Sequence, residues 1–185
     1  MTYATEYGFP LWEQLADMAL GWVTAQQGQV EDGIAQIRRG RDGWSDSGMV
    51  LNESFLSTFL VEGYALAGHP EEGLPLLAEA LAMAERTGEG LWEAELHRLQ
   101  GDLLRMQGAA EAEVEACFRQ ALDVARRQQA KWHELRASAS LGRLWQQQGR
   151  QAEARALLAE IYDWFTEGFD TPVLKEARAL LDGWS

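Results

Sequence analysis

A glycine that recurs about every 40 residues constrains the fold of this chain more than any other feature. The series consists of Gly28, Gly68, Gly108 and Gly149, with separations of 40, 40 and 41 residues. Each glycine follows a stretch in which apolar residues recur at helical spacing, and each precedes another such stretch. Glycine adopts a left-handed backbone at little cost and therefore often ends a helix. The spacing predicts four helical hairpins, each of which turns at one of these glycines.

Small side chains recur in step with that series. Seven residues before each turn glycine stand Gly21, Val61, Gly101 and Gly142. A glycine in mid-helix costs roughly 1 kcal/mol relative to alanine, which is tolerable where the missing side chain lets another helix approach. In the helix after each turn, a large apolar residue is flanked on the same face by two residues that are small or apolar. These triplets are Gly33, Ile37 and Gly40; Gly73, Leu77 and Ala80; Val114, Phe118 and Ala121; and Ala154, Leu158 and Ile161. This pattern predicts that the two helices of each hairpin pack closely.

The same periodicity sets the predicted helix boundaries. Helices are expected near residues 10–27, 30–43, 51–67, 70–87, 91–107, 110–129, 131–148, 151–166 and 172–183. They pair into hairpins 10–43, 51–87, 91–129 and 131–166, and helix 172–183 follows as the cap that a repeat array needs on its last face. The stretch 40–48 is predicted to be the longest loop, and no segment alternates with period two. We therefore expect one all-α repeat domain over residues 1–185.

This pattern resembles the tetratricopeptide repeat (TPR), whose period is about 34 residues. The period here is roughly six residues longer, and the proline that usually ends each repeat is absent. The resemblance implies a superhelical stack of antiparallel helix pairs, in which the first helices of successive pairs line a concave face that binds a partner.

A second resemblance covers the last 50 or so residues. It rests on Leu144-Trp145, Glu153-Ala154-Arg155, Leu157-Leu158 and the run Trp164-Phe165-Thr166-Glu167-Gly168-Phe169-Asp170-Thr171. These motifs resemble the C-terminal repeat region of large bacterial signalling proteins. In that family a nucleotide cyclase or a transcriptional regulator domain is followed by an NTPase module and then by helical repeats. The resemblance implies a regulatory tail without catalytic residues of its own.

The charge of the chain excludes several classes of partner. It has 16 basic and 29 acidic residues, a net charge of −13, and residues 1–100 carry −11 of that charge. A chain this acidic repels nucleic-acid phosphates and anionic lipid, so we expect neither nucleic acid nor membrane as a partner. The first twenty residues lack lysine and arginine, and Cys117 is the one cysteine. These features indicate a cytoplasmic protein without a signal peptide or disulfides.

No group of residues predicts catalysis. His69, His97 and His133 each lack a second ligand at metal-binding spacing, and Cys117 lies on an apolar helix face. We expect no catalytic, metal or cofactor site. Trp12, Trp92 and Trp132 stand near the starts of three first helices and are expected to pack between hairpins.

The predicted partner-binding face follows from counting along the first helix of each hairpin. Its residues are Leu15, Met18, Trp22, Phe55, Glu62, Glu95, Arg98, Asp102, Arg105, Arg136, Arg143 and Gln146. The face is apolar at one end and rich in arginine at the other. The apolar end is either a peptide pocket or the face left by an absent upstream repeat. The arginines are either a clamp for a partner's carboxylate or a solvated face paired with neighbouring acids.

These features predict a non-catalytic scaffold for protein–protein interaction and regulation. The partner would be a protein segment or an adjacent domain of the parent chain, and the N-terminal hairpin could also self-associate. The alternative is a small-ligand sensor that controls an upstream cyclase, NTPase or transcriptional regulator. Charge reversal at Arg98, Arg136 and Arg143 is expected to abolish partner binding and to leave thermal stability almost unchanged.

Overall fold

The computed structural model describes residues 10–48 and 53–184, and within these ranges the regular structure is entirely helical. The helices are α1 (Pro10–Gln26), α2 (Val30–Asp46), α3 (Glu53–Ala67), α4 (Pro70–Thr87), α5 (Glu93–Met106), α6 (Glu111–Arg127), α7 (Lys131–Gln147), α8 (Gln151–Tyr162) and α9 (Pro172–Gly183). A short 3-10 turn, Gly90–Trp92, precedes α5. The prediction of an all-α chain of helix pairs is confirmed. None of these helices combines the length and apolar character that a membrane span requires.

The chain divides into two compact units, Met1–Trp92 and Glu93–Ser185. The first unit holds the hairpins α1–α2 and α3–α4, and the second holds α5–α6 and α7–α8 together with α9. In both units the first helices of the two hairpins contact each other, as α1 does with α3 and α5 with α7. The second helix of the earlier hairpin also contacts the first helix of the later one. That all 185 residues form one domain stays a prediction.

Each glycine of the 40-residue series ends a first helix in a left-handed conformation. The φ angles are 93° at Gly28, 77° at Gly68, 75° at Gly108 and 78° at Gly149. The residue after each glycine donates its amide to the carbonyl five residues earlier, for example from His69 to Tyr64 at 2.9 Å. This bond closes the last turn of the helix. The predicted hairpin turns are therefore confirmed.

A second left-handed series, which the sequence analysis did not use, follows the second helices. It comprises Gly48, Gly88 and Gly168, with φ of 75°, 73° and 77°. Gln129 occupies the corresponding place with φ of 56°, and it is the one residue other than glycine with positive φ in the described ranges. The second helices α2, α4 and α6 thus have a left-handed residue close to both ends, whereas Gly168 lies six residues beyond the end of α8.

The small residues lie where helices cross. A Cβ atom on Gly33 of α2 would lie 2.5 Å from the Gly21 carbonyl oxygen of α1 and 2.7 Å from Ala25 Cβ. A Cβ atom on Gly142 of α7 would lie 2.7 Å from the Trp184 ring, which follows α9. These contacts leave no room for a side chain. Close packing at the small residues is confirmed.

The prediction of a loop at 40–48 was wrong for most of that stretch. Helix α2 continues to Asp46, because Gly40 packs against the Gln14 carbonyl oxygen and Met18, and Trp44 is buried. Gly40 is therefore a packing glycine, and the first hairpin extends beyond residue 43.

The predicted packing of three tryptophans was wrong for two of them. The exposed fractions of Trp12 and Trp132 are 64% and 40%. Trp92 instead stacks on Phe55 within the first unit.

Helix α9 covers the last hairpin of the second unit. Leu174, Ala177, Leu181 and Trp184 are buried together with residues of α7 and α8. The predicted role of this helix as a cap is confirmed for its own unit.

Candidate functional site

The first helices of the first unit, together with the 3-10 turn Gly90–Trp92, carry a row of four aromatic rings. Trp22 on α1 lies 6.3 Å from Phe59 on α3, measured between ring centroids, and Phe59 lies 4.9 Å from Phe55. Phe55 stacks on Trp92 at 4.4 Å with an interplanar angle of 25°. All four side chains are partly exposed. Of these, Trp22 and Phe55 were predicted from the sequence, whereas Phe59 and Trp92 were missed.

A carboxylate lies at the Trp22 end of this row. The Trp22 indole N–H donates a hydrogen bond to Glu62, whose exposed fraction is 8%. Trp22 and Glu62 are 40 residues apart and occupy equivalent positions in their hairpins. A buried indole or carboxylate is costly without a hydrogen bond, and this contact satisfies both.

Two predicted residues of the first unit have different surroundings. Met18 is fully buried and packs near Gly40, so it belongs to the core and is not accessible to a partner. Leu15 is partly exposed. The structure therefore brings together Trp22, Phe55 and Glu62 and places Met18 beneath the surface.

The corresponding helices of the second unit carry a buried ionic cluster centred on Glu95. Arg98 donates to Glu95 Oε1 from Nε at 3.0 Å and from Nη2 at 2.6 Å. Arg136 of α7 approaches the same oxygen at 3.2 Å, and His133 Nδ1 lies 3.7 Å from Oε2. Arg98 also pairs with Asp102. Glu95 and Arg136 occupy equivalent positions on α5 and α7, so the cluster links the two first helices.

This cluster holds Glu95 in its ionised form. Burial alone raises the pKa of Glu95, whose exposed fraction is 2%, but Arg98, His133 and Arg136 outweigh it. The pKa of this carboxyl therefore lies well below its usual range. All three arginines of the predicted clamp thus have an acidic partner within the fold, since Arg98 and Arg136 pair with Glu95 and Arg143 pairs with Glu176 of α9. Binding of an external carboxylate stays a prediction, and such a group would compete with Glu95.

The accessible polar positions of this face lie beyond the cluster. Arg105 and Gln146 are exposed, and the Arg143 side chain is about one-third exposed. Arg98 and Asp102 are much less accessible, because they pair beside Glu95. A partner of the second unit would therefore contact Arg105, Arg143 and Gln146 first.

A histidine and two carboxylates at the start of α4 form the one group in the described residues with metal-ligand geometry. The ligand atoms of His69, Glu71 and Glu72 lie within 4.8 Å of one another, and Glu31 of α2 lies 3.9 Å from His69. This group was not predicted, although its three members are close in sequence, because ligands were sought at helical spacing and His69 precedes the helix. The positive end of the α4 dipole opposes a cation there, and both carboxylates of α4 are exposed.

Cys117 on α6 is partly buried. Burial, with a smaller contribution from Glu113, raises the pKa of its thiol. A thiol with a raised pKa is a weak nucleophile. This agrees with the expectation of an apolar packing role.

No family model matches the sequence. A search of curated proteins found an uncharacterised protein of Rhizobium meliloti (strain 1021), 29% identical over 124 residues. The match covers 67% of this chain but 12% of that protein, so the chain corresponds to a small part of the relative's length.

Solved structures with a similar fold include two crystal structures from Podosopora anserina. Both are of a candidate kinesin light chain with nearly identical TPR-like repeats. Each is 17% identical in sequence, has a TM-score of 0.65 and covers 95% of this chain, which corresponds to 85% or 86% of the solved chain. The chain therefore has the TPR-like helical-repeat fold.

Proposed function

We propose that this chain is a non-catalytic protein-interaction scaffold that binds a protein segment along its first helices. The proposal rests mainly on one observation. In each unit the first helices lie side by side, and side chains at equivalent positions contact each other, as Trp22 does with Glu62 and Glu95 with Arg136. Adjacent helices linked in this way form a preorganised surface, which lowers the entropic cost of binding.

The accessible residues of these faces are of the types that dominate protein interfaces. Tryptophan, phenylalanine and arginine are enriched at such interfaces. Trp22, Phe55, Arg105 and Arg143 are all at least partly exposed. Their side chains offer stacking, apolar contact and bidentate hydrogen bonds to a partner.

We further propose that the chain is a regulatory module of a larger bacterial signalling protein in the cytoplasm. The motifs at 144–171 and the small fraction of the Rhizobium protein covered by the match support this context. The partner would be a protein segment or an adjacent domain of the parent chain. The net charge of −13 disfavours nucleic acid and membrane.

A small-ligand sensor, the alternative, is less well supported. Such a site needs an enclosed pocket with converging polar groups. One depression in the described residues is lined by Arg126, Gln129, Lys131, Glu134 and Trp164 and is open to solvent. Its charged groups already pair with one another, since Glu134 accepts from Arg126 at 3.0 Å and from Lys131 at 2.7 Å.

The N-terminal hairpin offers a face for self-association. On α1 the exposed fractions of Leu20 and Val23 are 45% and 41%. Their equivalents on α3 are the buried Leu60 and Gly63, and a Cβ atom on Gly63 would lie 3.0 Å from Ile34 of α2. The equivalent face of α3 is thus covered by the preceding second helix. We propose that α1 binds a similar helix, supplied by a preceding repeat or by a second copy of the chain.

The experiment that tests the scaffold replaces accessible arginines of the first helices. The double variant Arg105→Glu with Arg143→Glu is expected to lose the proteins that the wild-type chain captures from a lysate of the source organism. Its fold should remain intact, because Arg105 is exposed and the exposed Arg143–Glu176 pair contributes at most about 1 kcal/mol. Thermal unfolding followed by circular dichroism checks this.

The matched control places the same charge change on the second helices. Arg127→Glu with Arg155→Glu alters two exposed arginines of α6 and α8. This control should retain the captured proteins. Equal capture by both double variants would contradict binding along the first helices.

A further inference from the structure

The four arginines of residues 1–92 all lie on second helices. Arg38, Arg39 and Arg41 are on α2, and Arg86 is on α4. Helices α1 and α3 and the segment 88–92 contain no lysine or arginine, but they contain Glu13, Asp17, Glu53, Glu62 and Glu89. The first helices of this unit therefore carry only acidic charges, although Asp17 accepts from Gln36 of α2 and Glu53 shares a depression with Arg41.

The aromatic row defined above lies on these two helices and the turn before α5. It runs from Trp22 through Phe59 and Phe55 to Trp92. Glu62 lies at the Trp22 end. At the other end, Ser54, the neighbour of Phe55, donates a hydrogen bond to Glu89 at 2.9 Å. The partly exposed rings thus have a carboxylate near each end.

Aromatic faces next to carboxylates favour one class of side chain. A guanidinium group stacks on an aromatic ring through the ring's quadrupole and also donates paired hydrogen bonds to a carboxylate. Acidic or phosphorylated segments would be repelled by Glu62 and Glu89 and by the net negative charge of residues 1–92. The first helices of the second unit differ, because α5 and α7 carry Arg98, Arg105, Lys131, Arg136 and Arg143.

We propose that the aromatic row of the first unit binds an arginine-bearing segment of a partner protein, in which basic residues alternate with apolar ones. This inference rests on the proposed scaffold function and specifies the chemistry of its partner. The arginine side chains stack on Phe55 and Phe59, and their guanidinium groups reach towards Glu62 and Glu89. The apolar residues of the segment contact Trp22 and Trp92.

The test uses the full chain and a fluorescently labelled 12-residue peptide in which arginine alternates with leucine. Fluorescence anisotropy measures its affinity. The affinity is expected to exceed that of the same peptide with glutamate in place of arginine by at least about tenfold. It is expected to exceed that of the lysine version by about threefold, because guanidinium stacks better than ammonium. No binding, or equal binding of the three peptides, would overturn the proposal.

Variants locate the binding site. Glu62→Gln and Phe59→Leu should each weaken binding of the arginine peptide about tenfold. Glu89→Gln, in the turn before Trp92, should weaken it about threefold and provides a test that does not depend on a buried residue. Glu79→Gln on α4 makes the same charge change at an exposed site and should alter affinity less than twofold. If Glu79→Gln weakens peptide binding equally, the peptide is attracted by the overall negative charge and not by the aromatic row, and the proposal is overturned.

The outcome also separates this inference from the proposed function. If the arginine peptide fails to bind while capture still depends on Arg105 and Arg143, the scaffold function stands and only this inference fails. If the chain instead dimerises and Glu62→Gln abolishes the dimer without any peptide binding, the row is an interface between copies and the inference fails as well.

Discussion

Glu95 shows how much one buried residue decides in this fold. Its side chain, with Arg98, Arg136 and His133 around it, joins two helices whose pairing residues are about 40 positions apart. Leaving one member of a buried ion pair without its partner typically costs several kcal/mol, more than the pair itself contributes. The charge reversals predicted from the sequence to leave stability unchanged would therefore destabilise the fold, because Arg98 and Arg136 would become acids beside Glu95.

Glu95→Gln is expected to lower the free energy of unfolding by about 3 kcal/mol at pH 7. The pKa of Glu95 in the folded chain lies below its unfolded value of about 4.3, so its contribution is present above that pH and is lost as the pH falls towards the folded pKa. The difference in free energy of unfolding between the wild-type chain and the variant should therefore become smaller between pH 7 and pH 3. Urea unfolding at pH 7, 5 and 3 measures it.

The control for this prediction is Glu93→Gln, two residues earlier on α5. The Glu93 side chain is one-third exposed, so the substitution should change the free energy of unfolding by less than about 0.5 kcal/mol. A deficit for Glu95→Gln that stays constant with pH would argue against an ionised Glu95.

The left-handed backbone conformation of Gln129 leads to another prediction at the residue scale. Its φ of 56° costs a side-chain-bearing residue about 1 kcal/mol, and the corresponding positions in the other hairpins carry glycine. Gln129→Gly should therefore raise the free energy of unfolding by up to about 1 kcal/mol. Gln128→Gly, at a right-handed position next to it, should instead lower the free energy. Denaturant titration of both variants measures the difference, and a loss at both positions would contradict the argument.

At the scale of the helix, the crossings depend on missing side chains. The α1–α2 crossing brings the backbones at Gly21 and Gly33 so close that each Cβ atom would meet a carbonyl oxygen. Backbone atoms cannot move aside as the end of a flexible side chain can. The glycine pattern therefore specifies which faces of the two helices meet, as well as where each helix ends.

Gly33→Ala is expected to destabilise the chain by about 2 kcal/mol through this overpacking. Gly183→Ala at the end of α9 is the matched control, since a Cβ atom there would meet nothing within 4 Å. The control should be neutral or slightly stabilising, because alanine has the higher helix propensity. Thermal or urea unfolding compares the two, and similar stability for both would refute the close crossing.

At the scale of the whole chain, the face of α1 that carries Trp12, Leu20 and Val23 is the largest departure from the repeat pattern. The equivalents of Leu20 and Val23 in the later hairpins are buried, except Gln100, which is partly exposed. An array must cover such a face with another repeat or with a partner. The need to cover this face is a property of the repeat array, because a single helix does not create it.

Self-association through α1 is therefore expected to rise with concentration. The double variant Leu20→Glu with Val23→Glu should reduce it, because two exposed apolar side chains become charged. Light scattering over a concentration series measures the mass. Leu66→Glu, at an exposed leucine of α3, serves as the control and should leave association unchanged. A wild-type chain that stays monomeric throughout would contradict this expectation.

Much of the fold followed from the sequence alone. The turns at Gly28, Gly68, Gly108 and Gly149 were predicted because the end of a helix is a local property of the backbone. The helix faces were predicted because the spacing of small and apolar residues is also local. The C-terminal boundary of α2 was missed, because a glycine such as Gly40 can either end a helix or allow close helix packing, and the sequence alone does not distinguish the two.

The candidate site was only partly predictable. The sequence placed Trp22 and Phe55, and Glu95 and Arg136, on helix faces, but it could not show which charges would pair between helices. Glu95 meets His133 and Arg136 only because α5 and α7 pack against each other, whereas Arg98 is three residues away on the same helix. The periodicity thus determined the helices and their contact faces, whereas the tertiary structure decided which acids neutralise which arginines. The physical reason is that ion pairing and burial depend on distances between side chains far apart in sequence, and only packing sets those distances.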